Sequence, residues 1–198
     1  LFEHELANPD KAIEAYRSIL EEYGDDERDA YAALDGLFEK GNKWQDLADT
    51  LERRVDLGPP SEEELAALKY RLGRVFEQHL SRKSDAVSLA SEVLTLMPDH
   101  DGAREQLEGL LDDSEVGVAA ARILEPVYEG REEWPNLIRA LRVLHDGSDN
   151  GDDRLELLTK AGLVHAERIA DPDKAFDTFA EALRGAPRSA DTLARLEH

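Results

Sequence analysis

The segment Leu72–Pro98, LGRVFEQHLSRKSDAVSLASEVLTLMP, contains the pattern that decides the fold. Its second half has apolar residues at positions i, i+1, i+4, i+7 and i+8, which are Ala86, Val87, Ala90, Val93 and Leu94. This spacing puts all of them on one face of an α-helix, because a helix turns once every 3.6 residues. Pro98 then closes the pattern, since proline lacks the backbone N–H that continues a helix and so disfavours its extension. The segment predicts a helix, a short turn and an amphipathic helix.

Two other segments repeat this amphipathic pattern. Residues 12–20 read AIEAYRSIL and residues 175–183 read AFDTFAEAL, with apolar side chains at the same offsets. After the third copy Pro187 holds the place of Pro98, and after the first copy Gly24 holds it. The recurrence of one helix-and-turn pattern along the chain indicates a helical repeat protein.

The helix that precedes each amphipathic helix repeats as well. Residues 72–76, LGRVF, correspond to residues 161–165, AGLVH, and the shared glycine lets a neighbouring helix approach closely. This sequence of signals, Leu-Gly-x-x-aromatic, a helix with small and apolar residues, and a closing proline, resembles the tetratricopeptide repeat. The resemblance implies an all-α fold in which antiparallel helix pairs stack into a right-handed α-solenoid.

The spacing of the copies is uneven. Ala12 and Ala86 lie 74 residues apart, which is two units of 37, whereas Ala86 and Ala175 lie 89 apart. The excess of 15 residues is about the length of one helix. Trp44 and Trp134, each followed by Leu at the third and seventh positions, lie 90 apart and agree with the longer spacing.

The extra helix can be located by a further match. Ala30 and Leu34 pair with Ala103 and Leu107 at a spacing of 73, so the excess falls after residue 107. We therefore expect one extra helix near residues 114–129 that interrupts the alternation of helix pairs.

Taken together, the patterns predict about twelve helices and no sheet, because no segment alternates apolar and polar residues with a period of two. The chain is interpreted as one tetratricopeptide-like superhelical domain, 1–198, cut from a longer repeat protein. The expected helices are 1–7, 9–22, 27–40, 43–56, 61–81, 83–96, 100–112, 114–129, 132–145, 152–170, 172–185 and 188–198.

Charge and composition restrict the class of partner. The chain has 45 acidic and 24 basic residues, and its net charge of -21 repels nucleic acid and anionic membrane surfaces. The sequence contains no run of about 18 apolar residues, so it predicts no membrane span. There is no cysteine, which excludes disulfides, thiolate metal sites and cysteine nucleophiles but leaves the compartment open. A basic protein or peptide is the favoured partner, and the oligomeric state stays open.

The resemblance implies a function and a site. In proteins with this repeat, the first helix of each pair lines a concave groove that binds a peptide or partner protein. A purely structural spacer that self-associates through its ends, and more remotely an enzyme domain, are the alternatives. Carried over by position, the candidate groove residues are Ala32, Gly36, Lys40, Tyr70, Arg74, Gln78, Glu105, Gly109, Asp112, Thr159, Leu163 and Glu167.

No motif predicts catalysis, a cofactor or a metal. Some tetratricopeptide co-chaperones clamp an acidic C-terminal tail with Lys, Asn and Arg, and the matching positions here lack that set. The loop that starts at Asp146 has the oxygen ligands of a calcium loop, but Leu157 stands where the bidentate Glu is required. We interpret His165, which replaces Phe76 in the repeat, as a partly buried packing residue, and Trp44 and Trp134 as packing residues also.

Overall fold

The computed structural model describes residues 8–24, 27–59 and 61–185. These residues form α-helices joined by short turns and contain no β-strand. A π-helical segment, Val164–Ile169, continues the ninth helix. The helices are α1 (Pro9–Tyr23), α2 (Arg28–Lys40), α3 (Trp44–Asp56), α4 (Glu62–His79), α5 (Lys83–Leu96), α6 (Asp101–Gly109), α7 (Gly117–Gly130), α8 (Trp134–Asp146), α9 (Gly151–Leu163) and α10 (Pro172–Gly185).

The all-helical prediction is confirmed for these residues. Ten of the twelve expected helices lie in the described ranges, and those expected at 1–7 and 188–198 lie outside them. The helix starts follow ordinary capping chemistry. Asn8 Oδ1 accepts from the Asp10 N–H at 3.0 Å, and Ser61 Oγ accepts from the Glu64 N–H at 3.1 Å. Each side chain satisfies a backbone donor that the first turn leaves without a partner.

The chain divides into two compact units, Leu1–Ala103 and Arg104–His198. Within each unit, helices that are neighbours in the chain pack on one another, α1 to α5 in series in the first and α7 to α10 in series in the second. The apolar face of each helix is buried in this packing. Among the largest fully buried side chains are Phe38, Leu47 and Leu51 in the first unit, and Leu107, Leu124, Tyr128, Leu137 and Leu141 in the second.

Four turns share one backbone design, and they join α2 to α3, α4 to α5, α7 to α8 and α9 to α10. Near its end each turn has a non-glycine residue in the left-handed region, and φ is 53° at Asn42, 55° at Ser81, 58° at Glu132 and 58° at Ala170. This conformation is uncommon for residues with a side chain. Its recurrence identifies four equivalent helix pairs in the two units.

The next residue in each turn donates a similar backbone hydrogen bond, which spans five residues in the turns of α2–α3 and α7–α8 and six in those of α4–α5 and α9–α10. Its N–H donates at 2.9 Å to the carbonyl oxygen of a buried ring-bearing residue at the end of the preceding helix. The turn of α2–α3 thus repeats 90 residues later in α7–α8, and that of α4–α5 repeats 89 residues later in α9–α10. The donor and acceptor pairs are Lys43 and Phe38, Arg82 and Phe76, Glu133 and Tyr128, and Asp171 and His165.

These turns correct the position of the extra helix. The helix expected near 114–129 exists as α7, but it pairs with α8 through a repeat turn, so it is the first helix of a regular pair. Of the described helices, α1 and the short α6 stand outside the four pairs, and α6 is the one that follows the second pair and precedes the third in the chain. The sequence match failed because Ala103 with Leu107 and Ala120 with Leu124 have the same spacing, and all four side chains are fully buried.

Candidate functional site

The twelve candidate groove residues all reach the surface. Gly36, Tyr70, Thr159 and Leu163 are half-buried, and the other eight are exposed. They lie on α2, α4, α6, α9 and the segments that follow α6 and α9. Exposure alone does not make a site, so the contacts of each group decide which positions form a defined surface.

Three of the candidates form one connected row along α4. Arg74 Nη1 donates to the Tyr70 hydroxyl at 3.1 Å, and the guanidinium carbon lies 5.9 Å from the centroid of the Tyr70 ring. With its amide oriented so that the oxygen faces the guanidinium, Gln78 accepts from Arg74 Nε at 2.9 Å. The spacing i, i+4, i+8 places the three side chains on one helix face. We call this set the α4 row.

The start of α6 supports the α4 row. The ring of His100 lies 4.9 Å from the ring of Tyr70, tilted by 55°. A Cβ atom at Gly102 would lie 2.8 Å from the Tyr70 hydroxyl, so only glycine leaves room for the ring. His100 is itself held because its Nδ1 accepts from the Ala103 N–H at 3.0 Å. Sequence reasoning missed the contact of His100 with Tyr70.

The equivalent positions of the second unit have different chemistry. Thr159, the counterpart of Tyr70, donates its hydroxyl hydrogen to the carbonyl of Leu155 at 2.7 Å within its own helix. Leu163 and Glu167 take the places of Arg74 and Gln78. The aromatic, cationic and amide groups of the α4 row therefore occur together in the first unit and are replaced in the second.

The three candidate residues on and just after α6 lie outside the four helix pairs. Glu105 and Gly109 lie on α6 and Asp112 in the turn after it, where its carboxylate accepts from Arg139 at 2.7 Å. The turn alignment gives different counterparts of Ala32, Gly36 and Lys40 in the second unit. They are the exposed residues Arg122, Pro126 and Gly130 of α7, which the spacing of Trp44 and Trp134 could have identified.

A buried charge cluster beside the α4 row was not anticipated. Asp35 in α2 is only 3% exposed. Its Oδ2 atom accepts a short hydrogen bond from Arg54 in α3 and a 2.9 Å hydrogen bond from Arg71 in α4. Arg71 also donates to Glu39 at 2.8 Å. Three helices are thus joined through one carboxylate.

Burial and the two guanidinium groups act on Asp35 in opposite directions. Burial raises the pKa of the carboxyl, and Arg54 and Arg71 partly offset the rise. Its Oδ1 atom is buried without a hydrogen-bond donor among the described residues. A buried carboxylate with an unpaired oxygen depends strongly on its cationic partners, because desolvation disfavours the charged form.

The second unit has a related cluster in which three of the four residues differ in type. Lys160, the counterpart of Arg71, donates to Glu125 at 2.9 Å and to Glu129 at 2.8 Å. Burial acts to lower the pKa of Lys160, but its hydrogen bonds to Glu129 and Glu125 and the negative charges of the two carboxylates together outweigh burial and raise the pKa. Leu144 takes the place of Arg54, so the second guanidinium is missing from this unit.

The tryptophans pack in equivalent positions. The ring of Trp44 stacks on that of His79 with 3.6 Å between centroids and an angle of 3°. In the second unit Arg168, the counterpart of His79, lies over Trp134 at 5.3 Å. Trp44 also packs against the buried core of its unit, which confirms its expected packing role.

His165 is buried, as its repeat position indicated, at 9% exposure. Its Nδ1 atom has no hydrogen-bond partner among the described residues. Burial lowers the pKa of the imidazole, while the Asp171 carboxylate acts to raise it and Lys174 and Arg142 act to lower it. The ring lies in the π-helical segment, and its counterpart Phe76 carries the Arg82 guanidinium 3.7 Å from its ring centroid.

The loop after Asp146 acts as a helix cap. Asn150 Oδ1 accepts from the Asp152 N–H at 3.0 Å at the start of α9. Across residues 8–24, 27–59 and 61–185, no group of three or more His, Asp or Glu side chains is arranged to hold a metal ion. In the same ranges, no helix is both long enough and apolar enough to cross a bilayer.

Comparison with known proteins identifies no family. No protein-family model matches the chain, and no curated protein matches it. Among solved structures, the crystal structure of BtubC (BKLC) from P. vanneervenii aligns with 92% of this chain and 90% of its own length. The sequence identity is 15% and the TM-score is 0.32, which is too low to support an argument about fold or function.

Proposed function

We propose that this chain is a non-catalytic protein-interaction scaffold. In this proposal its helix pairs continue into a right-handed tetratricopeptide-like solenoid, and the exposed faces of the first helices form a groove for a peptide or partner protein. The four corresponding turns support the proposed repeat, because each joins two neighbouring helices through a left-handed residue and a similar backbone hydrogen bond. Stacked pairs of this kind present an extended surface that suits protein binding.

The observation that carries the binding role is the α4 row. Tyr and Arg are the side chains that most often dominate the energy of protein interfaces, since they combine apolar area with hydrogen bonding. Here the Tyr70 ring contacts the ring of His100 and lies close to Gly102, and Tyr70 is next to an exposed Arg74. Such a fixed row loses little side-chain entropy on binding, which favours affinity.

Charge limits the partner. A net charge of -21 favours association with a basic protein or peptide and opposes nucleic acid and anionic membranes. The acidic field contributes mainly to the rate of association, because long-range attraction steers encounters and is screened by salt. The local Arg74 then adds specificity by selecting an acidic or carbonyl group within an otherwise basic partner.

A comparative affinity purification tests this function. The wild-type chain and the double variant Tyr70→Ala with Arg74→Glu are used as baits in lysate of the source cell, at low and high salt. The matched control is the double variant Thr159→Ala with Glu167→Ala, which changes the counterpart row. A protein retained by wild type and control, lost by the α4-row variant, and bound at least tenfold more weakly by that variant in calorimetry would support the proposal.

Two results would contradict it. A partner that binds the α4-row variant as tightly as the wild type would place the binding surface elsewhere. A chain that captures no partner but self-associates in analytical ultracentrifugation would favour the alternative role, a structural spacer whose contribution is length and shape.

A further inference from the structure

Each unit has a pocket at the same place in its helix repeat. The first pocket is lined in part by Tyr31, Arg54, Glu64 and Leu68, and its volume is about 40 Å³. The second is lined in part by Leu144, Asp153 and Leu157, the counterparts of Arg54, Glu64 and Leu68, and its volume is about 320 Å³. We call them the first-unit pocket and the second-unit pocket.

The first-unit pocket shows what this place in the repeat holds. The Arg54 guanidinium donates from Nη1 to Asp35, and its Nη2 atom lies 3.7 Å from Glu64 Oε1. The Tyr31 side chain, which is 5% exposed, lines the same pocket. A guanidinium between two carboxylates, with an aromatic and an aliphatic wall, therefore fills most of the space.

Two substitutions empty the second-unit pocket. Ala121 replaces Tyr31 and Leu144 replaces Arg54, so one aromatic ring and one guanidinium are missing. The two carboxylates that contact Arg54 in the first unit have carboxylate counterparts in the second, since Glu125 replaces Asp35 and Asp153 replaces Glu64. A third acid, Glu156, is added to the wall at a position that is alanine in the first unit.

The charges left in the second-unit pocket favour a cation. Its walls include three acids and two bases, Arg122 and Lys160. Lys160 is already paired with Glu125 and with Glu129 outside the pocket, so its charge is neutralised within the protein. Arg122 is exposed at the pocket wall, and Asp153 and Glu156 have no ion-pair partner among the described residues. A cationic ligand that reaches both carboxylates gains two charge-assisted hydrogen bonds.

We propose that the second-unit pocket binds the guanidinium group of an arginine side chain from a partner protein or peptide, in the place that Arg54 fills within the first unit. Leu144 and Leu157 contact the methylene groups of the entering arginine, and Asp153 and Glu156 accept hydrogen bonds from its planar fork. The site lies in the second unit and is separate from the α4 row, so it does not rest on the groove proposal.

Titration of the intact chain with small peptides tests the site directly. The probe is acetyl-Gly-Arg-Gly-amide, and the matched controls contain citrulline, which is neutral and similar in shape, or lysine. Methyl NMR signals of Leu144 and Leu157 report on the pocket. We expect saturable shifts with the arginine peptide, no saturation with citrulline, and binding of the lysine peptide that is several-fold weaker because an ammonium cannot form the bidentate fork.

Two variants separate a pocket effect from general charge attraction. Asp153→Asn with Glu156→Gln changes two exposed side chains and should weaken arginine-peptide binding about tenfold with the fold intact by circular dichroism. Leu144→Arg restores the residue of the first unit and should abolish binding by filling the pocket from within. Asp173→Asn with Asp177→Asn, which changes two exposed carboxylates of α10 outside the pocket, should leave the affinity unchanged.

Equal affinity for the arginine and citrulline peptides, or undiminished binding to the Asp153→Asn, Glu156→Gln variant, would overturn the proposal. An absence of methyl shifts at 20 mM arginine peptide would do the same. None of these results depends on the partner of the α4 row, so failure here is distinguishable from failure of the groove proposal.

Discussion

Lys160 in α9 takes the place of Arg71 in α4, contact for contact. Each cation bridges two carboxylates one helical turn apart on the first helix of the preceding pair, at 2.9 Å and 2.8 Å in both units. The acids are Asp35 and Glu39 in one unit and Glu125 and Glu129 in the other. An ion bridge between successive pairs is therefore a repeated element of the fold, although the cation and one acid differ in type.

The first prediction concerns this bridge. Lys160→Met keeps the apolar stem but leaves Glu125 and Glu129 without their shared cation, and the two carboxylates then repel each other. We expect the free energy of unfolding to fall by about 1 kcal/mol, a modest loss because the bridge is only half-buried. Urea denaturation followed by circular dichroism measures it. Lys40→Met, at an exposed position, should change stability by less than about 0.5 kcal/mol.

The second prediction concerns Arg54. Arg54→Leu copies the second unit, but it removes one of two cations from a carboxylate that is buried far more deeply than Glu125. We expect a loss of about 3 kcal/mol in the free energy of unfolding. Adding Asp35→Asn should recover at least about 1 kcal/mol, because the uncompensated charge is then gone. Additive losses in the double variant would show that the two groups are not coupled.

The third prediction tests the close approach at Gly162. A Cβ atom there would lie 2.5 Å from the Phe179 ring, so α9 and α10 would have to separate. Gly162→Ala should destabilise the chain by about 2 kcal/mol. The matched control is Gly36→Ala in α2, where no described atom beyond the neighbouring residues and backbone of its own helix lies within 4 Å of the added carbon. That change should stabilise the helix by roughly 0.5–1 kcal/mol, so opposite signs are expected in thermal unfolding.

The fourth prediction concerns acid stability and His165. Burial holds the pKa of this imidazole below its ordinary value of about 6.5, so the unfolded chain binds the proton more readily than the folded one. Stability should therefore fall as the pH drops below about 6.5, until the folded-state pKa is passed. His165→Phe restores the ring of the first unit and should remove this part of the acid sensitivity.

The measurement for His165 is the unfolding free energy between pH 7.5 and 5. Near neutral pH the His165→Phe variant should also gain about 1 kcal/mol, because the buried Nδ1 atom without a partner is removed. His79→Phe serves as the control, since this residue is exposed and stacks on Trp44. Equal pH slopes in wild type and His165→Phe would show that another group causes the acid response.

The helices and their packing faces could be predicted from sequence because both depend on nearby residues. The face of α5, the cap at Ser61, the burial of His165 and the glycine contact at Gly162 all follow from local spacing. The pairing of helices was harder, since Ala103 with Leu107 imitates the pattern of Ala30 with Leu34. The spacing of 90 between Trp44 and Trp134 favours Ala120 with Leu124, and the turn hydrogen bond at Tyr128 identifies this pair as the true counterpart.

The candidate site was less accessible to sequence reasoning. Tyr70, Arg74 and Gln78 could be grouped because they are spaced by one helical turn, but their support by His100 and Gly102 depends on residues about 30 positions away. In the sequence, Asp35 resembles an ordinary solvated helix residue. Its partners in the buried cluster, Arg54 and Arg71, come from two other helices. Charged groups buried by distant partners carry no local signal.

The four left-handed turns also have a genetic consequence. Two stretches of about 90 residues, each containing two of these turns, follow one another in the chain. An unequal crossover between the corresponding stretches of DNA would delete or add one such block and would rejoin the chain within an equivalent turn. Such a change would alter the length of the chain by about 90 residues and leave the backbone conformation at the junction unchanged.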